Sequence, residues 1–105
     1  MKSLALGFIT LIASTSGAVA EDPGDPQAGF SMAQQVCSKC HGISAEKSPL
    51  PQAPRFREVA DQKGMTGTAL TVWMQTSHPT MPNIVLTKQE YLDVVAYILS
   101  LKGRE

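Results

Sequence analysis

The residues with the most distinctive chemistry stand together in the stretch CSKCH at positions 37–41. This stretch holds both cysteines of the chain, and His78 is the one histidine outside it. Two thiols separated by two residues can form a disulfide, ligate a metal ion or anchor a cofactor covalently. The rest of the sequence has to decide among these three chemistries.

The spacing C-x-x-C-H is typical of a c-type haem attachment site. Cys37 and Cys40 lie three residues apart, so on one helical turn each sulfur can form a thioether with a vinyl group of the same porphyrin. His41 follows directly, where its imidazole can reach the iron from one face. The motif therefore predicts one covalent haem c, with the two cysteines as anchors and His41 as an axial iron ligand.

The alternatives for the two thiols find less support. A thioredoxin-like dithiol expects a βαβ context, and no segment here shows strand alternation. A structural zinc site needs four ligands, for which Cys37, Cys40, His41 and the distant His78 would be the whole supply. A disulfide between the cysteines would close a very short loop and add little stability.

The ligand on the other face of a haem iron decides its function. Met32 is too near the anchoring segment, Met74 fits a helix core, and Met65 follows a glycine turn and is expected to be exposed. Met81 lies in the stretch PTMP, residues 79–82, where two prolines restrict the backbone. We therefore predict Met81 as the second axial ligand.

His78 is the competing ligand, because imidazole also binds haem iron well. It lies three residues from Met81, so the two would not both ligate one iron, and we expect His78 at the surface or beside a propionate. A histidine–methionine pair predicts a one-electron carrier without catalytic activity. A vacant or displaceable sixth position would instead indicate a haem enzyme or gas sensor.

The first twenty residues have the composition of a secretory signal peptide. Lys2 precedes a mostly apolar run over 4–12, and AVA at 18–20 is an A-x-A cleavage site. The run is too short to span a bilayer, which takes roughly 20 apolar residues. The sequence therefore predicts a cleaved signal peptide over 1–20, a mature domain over 21–105 and a periplasmic location.

The charge balance excludes some partner classes. Nine Lys and Arg against nine Asp and Glu give a formal net charge of zero, so the chain lacks the basic character that nucleic-acid binding requires.

After residue 20 there is no long apolar run, and we expect no transmembrane segment in the mature chain. A domain this small supports only a modest core, which a large apolar haem would complete.

About four helices are expected to position the chemical residues, with long loops between them. Helical spacing predicts segments over about 26–39, 55–62 and 68–76, and a last helix between Thr87 and Gly103. Asp25 can cap the first helix, and Thr87 with Glu90 forms a T-x-x-E capping box for the last. The predicted class is a small all-α fold wrapped around one haem.

This ordered set of features resembles the class I cytochromes c, in particular the small bacterial periplasmic type with one haem. The resemblance spans nearly all of the predicted mature domain. Its parts are Gly29-Phe30, CSKCH at 37–41, Ala53-Pro54, Trp73, Met81-Pro82 and the last-helix stretch 97–101.

The resemblance implies roles for residues outside the motif. Gly29 would let the last helix cross the first closely, with Phe30 and Tyr97 packing at the crossing. Pro54 would offer its carbonyl to the second ring nitrogen of the axial histidine, which orients the ring and raises its basicity; Pro49 and Pro51 are nearby candidates for the same role. Trp73 would lie near a haem propionate, with core filling as the alternative.

The resemblance also implies transient redox partners, such as donor and acceptor cytochromes, an oxidase or a dehydrogenase, with the small interfaces of redox encounters. The lysines here are few and spread, unlike the lysine ring of mitochondrial and photosynthetic relatives, so strongly electrostatic docking is not expected. A free shuttle is the main hypothesis, and a permanent haem subunit of a dehydrogenase is the alternative.

Overall fold

The computed structural model describes residues 12–14, 17, 24–76 and 80–104. Within them the chain forms α1 (Pro26–Met32), a π-helical turn (Ala33–Cys37), α2 (Phe56–Asp61), α3 (Gly67–Gln75) and α4 (Lys88–Ser100), with no β-strand. The predicted all-α class with about four helices is confirmed. The described residues include neither His78 nor most of the predicted signal peptide.

The first helix starts as the sequence predicts. The Asp25 carboxylate accepts a hydrogen bond from the Gln27 N–H at 2.9 Å, and Pro26 occupies the first helical position. At Ala33 the hydrogen bonding widens from α to π, and the helical segment ends at Cys37, two residues before the predicted end. Such π turns often occur at functional sites.

The helices α1 and α4 cross in close contact. A Cβ atom on Gly29 would come within 1.9 Å of the Asp93 carbonyl oxygen and 2.8 Å of the Tyr97 Cβ, so only glycine fits there. The rings of Phe30 and Tyr97 pack beside this contact with centroids 5.3 Å apart. The close helix approach that the resemblance implies is therefore present.

Both ends of α4 follow the sequence signals. The Thr87 hydroxyl accepts from the Glu90 N–H at 3.3 Å, and the Glu90 carboxylate accepts from the Thr87 N–H at 2.7 Å. Gly103, at φ +68°, ends the turn that follows the helix. In the part of the chain that the structure describes, no helix has the length and apolar character needed to cross a membrane.

The short helices differ in detail from the prediction. The Thr66 hydroxyl accepts from the Ala69 N–H at 3.1 Å, so α3 begins at Gly67, one residue earlier than the spacing indicates. Gly64, at φ +78°, makes the turn before it. The expectation that Met65 is exposed is wrong, because the side chain after this turn is half-buried and packs against the core.

Candidate functional site

A cavity of about 340 Å³ opens where the helices meet the two long loops. This volume lies within the range of small-molecule and cofactor sites. Its walls are mainly apolar and are formed by Val36, Leu50, Ala53, Pro54, Phe56, Val59, Leu70, Trp73, Met74, Pro82, Ile84 and Ile98. The potentially reactive or ligating groups on its lining are Cys37, Cys40, His41 and the thioethers of Met74 and Met81. The structure thus brings the predicted anchors and both predicted axial ligands to one cavity.

The two cysteines lie on a tight turn at the end of the π-helical segment. The N–H groups of Cys40 and His41 donate to the Cys37 carbonyl at 3.2 and 2.9 Å, which turns both sulfurs and the imidazole toward the cavity. No disulfide joins the two thiols. Burial raises the pKa of Cys37 to about 11, whereas a redox-active dithiol needs a lowered pKa. Because the described residues also contain no strand and hence no βαβ unit, a thioredoxin-like dithiol lacks its expected context.

The structure describes three of the four residues in the zinc hypothesis, Cys37, Cys40 and His41. No group of three or more His, Cys, Asp and Glu side chains among the described residues is arranged to hold a metal ion. His78, the fourth ligand in that hypothesis, falls outside those residues. The expectation that His78 lies at the surface or beside a propionate therefore stays a prediction.

The His41 imidazole is fixed by the Pro54 carbonyl. The distance from His41 Nδ1 to the Pro54 oxygen is 2.7 Å. Because a carbonyl only accepts, Nδ1 carries the proton, and a neutral ring then presents a bare Nε2 for an iron. The ring also packs on buried Phe56, with centroids 5.3 Å apart. Of the three nearby prolines, Pro54 is the one that makes this contact.

The peptide after Pro54 is held by a pair of charged residues that sequence reasoning missed. The Glu58 carboxylate accepts from the Arg55 backbone N–H at 3.0 Å and from the Arg55 guanidinium at 3.0 and 2.7 Å. These hydrogen bonds, first from the side chain and then from the backbone, lower the pKa of Glu58. The available signal was the glutamate three residues after the N-cap Arg55, which is the spacing of a capping box.

The loop over 42–54 supports the same side of the cavity. The buried Ser48 hydroxyl accepts from the Gly42 N–H at 2.9 Å. The Glu46 carboxylate accepts from the N–H groups of Ile43 at 2.8 Å and Ser44 at 3.1 Å. A Cβ on Gly42 would come within 2.0 Å of the Glu46 carbonyl oxygen. The loop is therefore folded tightly upon itself.

Tyr97 ties this loop to α4. Its hydroxyl donates to the Ile43 carbonyl at 2.6 Å. Burial, and then the negative charge of Glu46, raise the pKa of Tyr97. The hydroxyl therefore stays protonated at neutral pH and keeps its hydrogen bond, so the α1–α4 crossing and the His41 side of the cavity share one residue.

The opposite wall carries Met81 and Trp73. Met81 is half-buried and lies in an isolated β-bridge, and residues 82–87 have no regular secondary structure. Trp73 lines the cavity but is 58% exposed, which argues against core filling. Met74 is half-buried and packs against the core, as expected. That Met81 ligates iron and that Trp73 lies near a propionate stay predictions.

The cavity fits a covalently attached haem in the chemistry of its lining. Two thiols at the required spacing, an imidazole oriented by a hydrogen bond and the soft thioethers of two methionines all face a mainly apolar volume. Thioether and imidazole are common haem iron ligands in proteins. No other described part of the chain combines these groups.

Comparison with known proteins agrees with this chemistry. Residues 26–102 match the family model described as Cytochrome c. Over 95 residues the chain is 30% identical to cytochrome c-552 of Bradyrhizobium diazoefficiens, an alignment that covers 90% of this chain and 88% of that protein. No solved structure matches the chain significantly.

Proposed function

This chain belongs to the cytochrome c family and is a haem c electron carrier, and we propose that it is an exported monohaem carrier whose iron is bound by His41 and Met81. Haem c, when bound, supplies an iron that alternates between the ferric and ferrous states. The observation that carries the proposal is the single cavity lined by Cys37, Cys40, His41 and Met81.

Each residue of the site has a distinct task in this proposal. Cys37 and Cys40 hold the porphyrin through thioethers. His41 offers Nε2 to the iron while its Nδ1–H is held by the Pro54 carbonyl, which keeps the ring in place during each redox cycle. Met81 offers a soft sulfur, which favours the ferrous iron. With His41 and Met81 both on the iron, the protein would transfer electrons and catalyse no reaction.

The proposal also includes export to the periplasm and transient docking with redox partners. The apolar run and A-x-A site before Glu21 support a signal peptide, and the periplasm is where bacteria attach haem c. The mature chain purified from that compartment should begin at Glu21. Gel filtration of a native extract should show a free monomer; persistent elution with a dehydrogenase would favour the subunit alternative.

The cofactor arrangement is tested by making the protein together with the c-type haem maturation machinery. One haem per chain should remain attached after denaturation. Cys37→Ala and Cys40→Ala should each give the pyridine haemochrome spectrum of a haem with one free vinyl group. A colourless exported protein with two free thiols would refute the covalent arrangement.

The Met81 ligand is tested by Met81→Ala, with Met74→Ala as the matched control on the same cavity. The methionine–iron charge-transfer band of the ferric protein should vanish in the first variant and persist in the second. An unchanged band in Met81→Ala would move the ligand to another methionine. Rapid binding of carbon monoxide to the native ferrous protein would favour a haem enzyme or gas sensor.

A further inference from the structure

The peptide group between Pro54 and Arg55 is hydrogen-bonded at both ends. Its carbonyl oxygen accepts from His41 Nδ1 at 2.7 Å, and its N–H donates to Glu58 Oε2 at 3.0 Å. A peptide group is planar, so two bonds in opposite directions fix the orientation of the whole unit. The imidazole and the carboxylate are therefore linked through one conjugated group.

We propose that Glu58 is a positioning residue for the axial ligand His41 and that it lowers the reduction potential of the haem through the Pro54–Arg55 peptide. This inference rests on the proposed function, because it needs His41 on the iron. It assigns a redox role to a surface carboxylate that has no direct contact with the imidazole in the structure.

The physical basis is polarisation along a chain of hydrogen bonds. A carboxylate that accepts the peptide N–H draws charge toward the carbonyl oxygen, so hydrogen bonds in series strengthen one another. A stronger acceptor on Nδ1–H makes the imidazole of His41 more basic at Nε2. A more basic ligand stabilises ferric over ferrous iron, and the reduction potential falls.

Arg55 sets the position of the carboxylate. Its Nε and Nη2 both donate to Glu58 Oε1, which leaves Oε2 free for the backbone N–H. Its Nη1 donates to the Ala45 carbonyl at 3.1 Å and so joins the pair to the loop. The two side chains are 43% and 50% exposed, and an exposed ion pair adds little stability. Its contribution here is the placement of Oε2.

Other bonds should keep this segment folded when the pair is broken. The next N–H, of buried Phe56, donates to the Gly42 carbonyl at 2.8 Å. The Arg57 N–H lies 3.4 Å from the Ser44 carbonyl. Variants at position 58 should therefore fold with haem attached, and their redox properties can be compared directly.

The test compares Glu58→Gln and Arg55→Met in the haem-loaded protein. Glu90→Gln is the matched control, because Glu90 fills the same capping position at the start of α4. In both test variants the reduction equilibrium should shift toward ferrous iron by about threefold, which is about 28 mV at 59 mV per tenfold for one electron. The control should shift much less.

A second measurement separates positioning from simple charge. If charge alone acted, the reduction potential would rise in Glu58→Gln and fall in Arg55→Met. If Glu58 acts by positioning, the reduction potential rises in both variants. The His41 Nδ1 proton should then also exchange with solvent about tenfold faster in both. Opposite shifts, or an unchanged Nδ1 exchange rate, would overturn the proposal.

A different result would refute the proposed function itself. If NMR of the wild-type protein shows no iron-shifted His41 resonances, the ligand assignment is wrong and the inference falls with it. If those resonances are present but neither variant moves the potential or the exchange rate, only the role of Glu58 is refuted.

Discussion

The two walls of the cavity are held very differently. On the His41 side, the loop over 42–54 is bonded to itself, to α2 and to the Tyr97 hydroxyl. On the Met81 side, the Tyr91 hydroxyl donates to the Ile84 carbonyl over a long 3.4 Å, and Met81 lies in an isolated β-bridge. Val85 in that segment is 93% exposed.

This difference indicates unequal local stability. Segments with many exposed residues, such as Thr80, Pro82, Asn83 and Val85 here, open at lower free energy than the buried parts of a fold. In the proposed carrier, the imidazole would therefore be the fixed ligand and the thioether the replaceable one. The same asymmetry suggests that exchange with an external ligand begins on the Met81 side.

The largest expected effect is on amide hydrogen exchange. We expect the Gly42 N–H, which is bonded to the buried Ser48 hydroxyl, to exchange at least about a hundredfold more slowly than the N–H groups of Asn83 and Val85. NMR on the haem-loaded protein gives the rates residue by residue. Equal protection on the two walls would break the comparison.

The next effect is steric. Gly42→Ala should lower the free energy of unfolding by about 2–3 kcal/mol, because the new Cβ meets the Glu46 carbonyl oxygen at 2.0 Å. Gly42 has no positive φ, so the cost is one of space. Asn83→Ala on the other wall is the control and should change stability by less than about 0.5 kcal/mol. Urea titration measures both variants.

A smaller effect is expected from a lost hydrogen bond. Ser48→Ala removes the acceptor of the buried Gly42 N–H, which should cost about 1–2 kcal/mol. Thr80→Ala, at an exposed position beside Met81, should be nearly neutral. If thermal unfolding shows equal losses for the two variants, the His41 wall is not the better-bonded one.

The smallest effect is on pH dependence. Hydrogen bonds from Arg55 lower the pKa of Glu58 below its ordinary value of 4.5. A carboxylate with a lowered pKa stabilises the folded state above that ordinary value, and the stabilisation is lost as pH falls through the lowered one. Unfolding titrations from pH 6 downward should therefore fall less steeply for Glu58→Gln than for the native protein. Parallel curves would contradict this role.

Local signals made much of the fold predictable. The caps at Asp25 and Thr87 and the glycine end at Gly103 are present where the sequence indicates them. These features depend on neighbours within four residues, so a single sequence contains them. Met65 was mispredicted because its burial depends on how the turn at Gly64 returns the chain to a distant core.

The sequence alone predicted the chemistry of the site. C-x-x-C-H is a local motif that offers two thioether anchors and one iron ligand within five adjacent residues. The ordered landmarks also pointed to the family that the comparisons show.

Only the tertiary structure decided how that chemistry is supported. It selected Pro54 from three nearby prolines, connected its peptide to Glu58, and gave the two walls of the cavity different anchoring. The physical reason is that such contacts join groups far apart in sequence. Their distances and directions depend on the packing of whole helices, which no local pattern encodes.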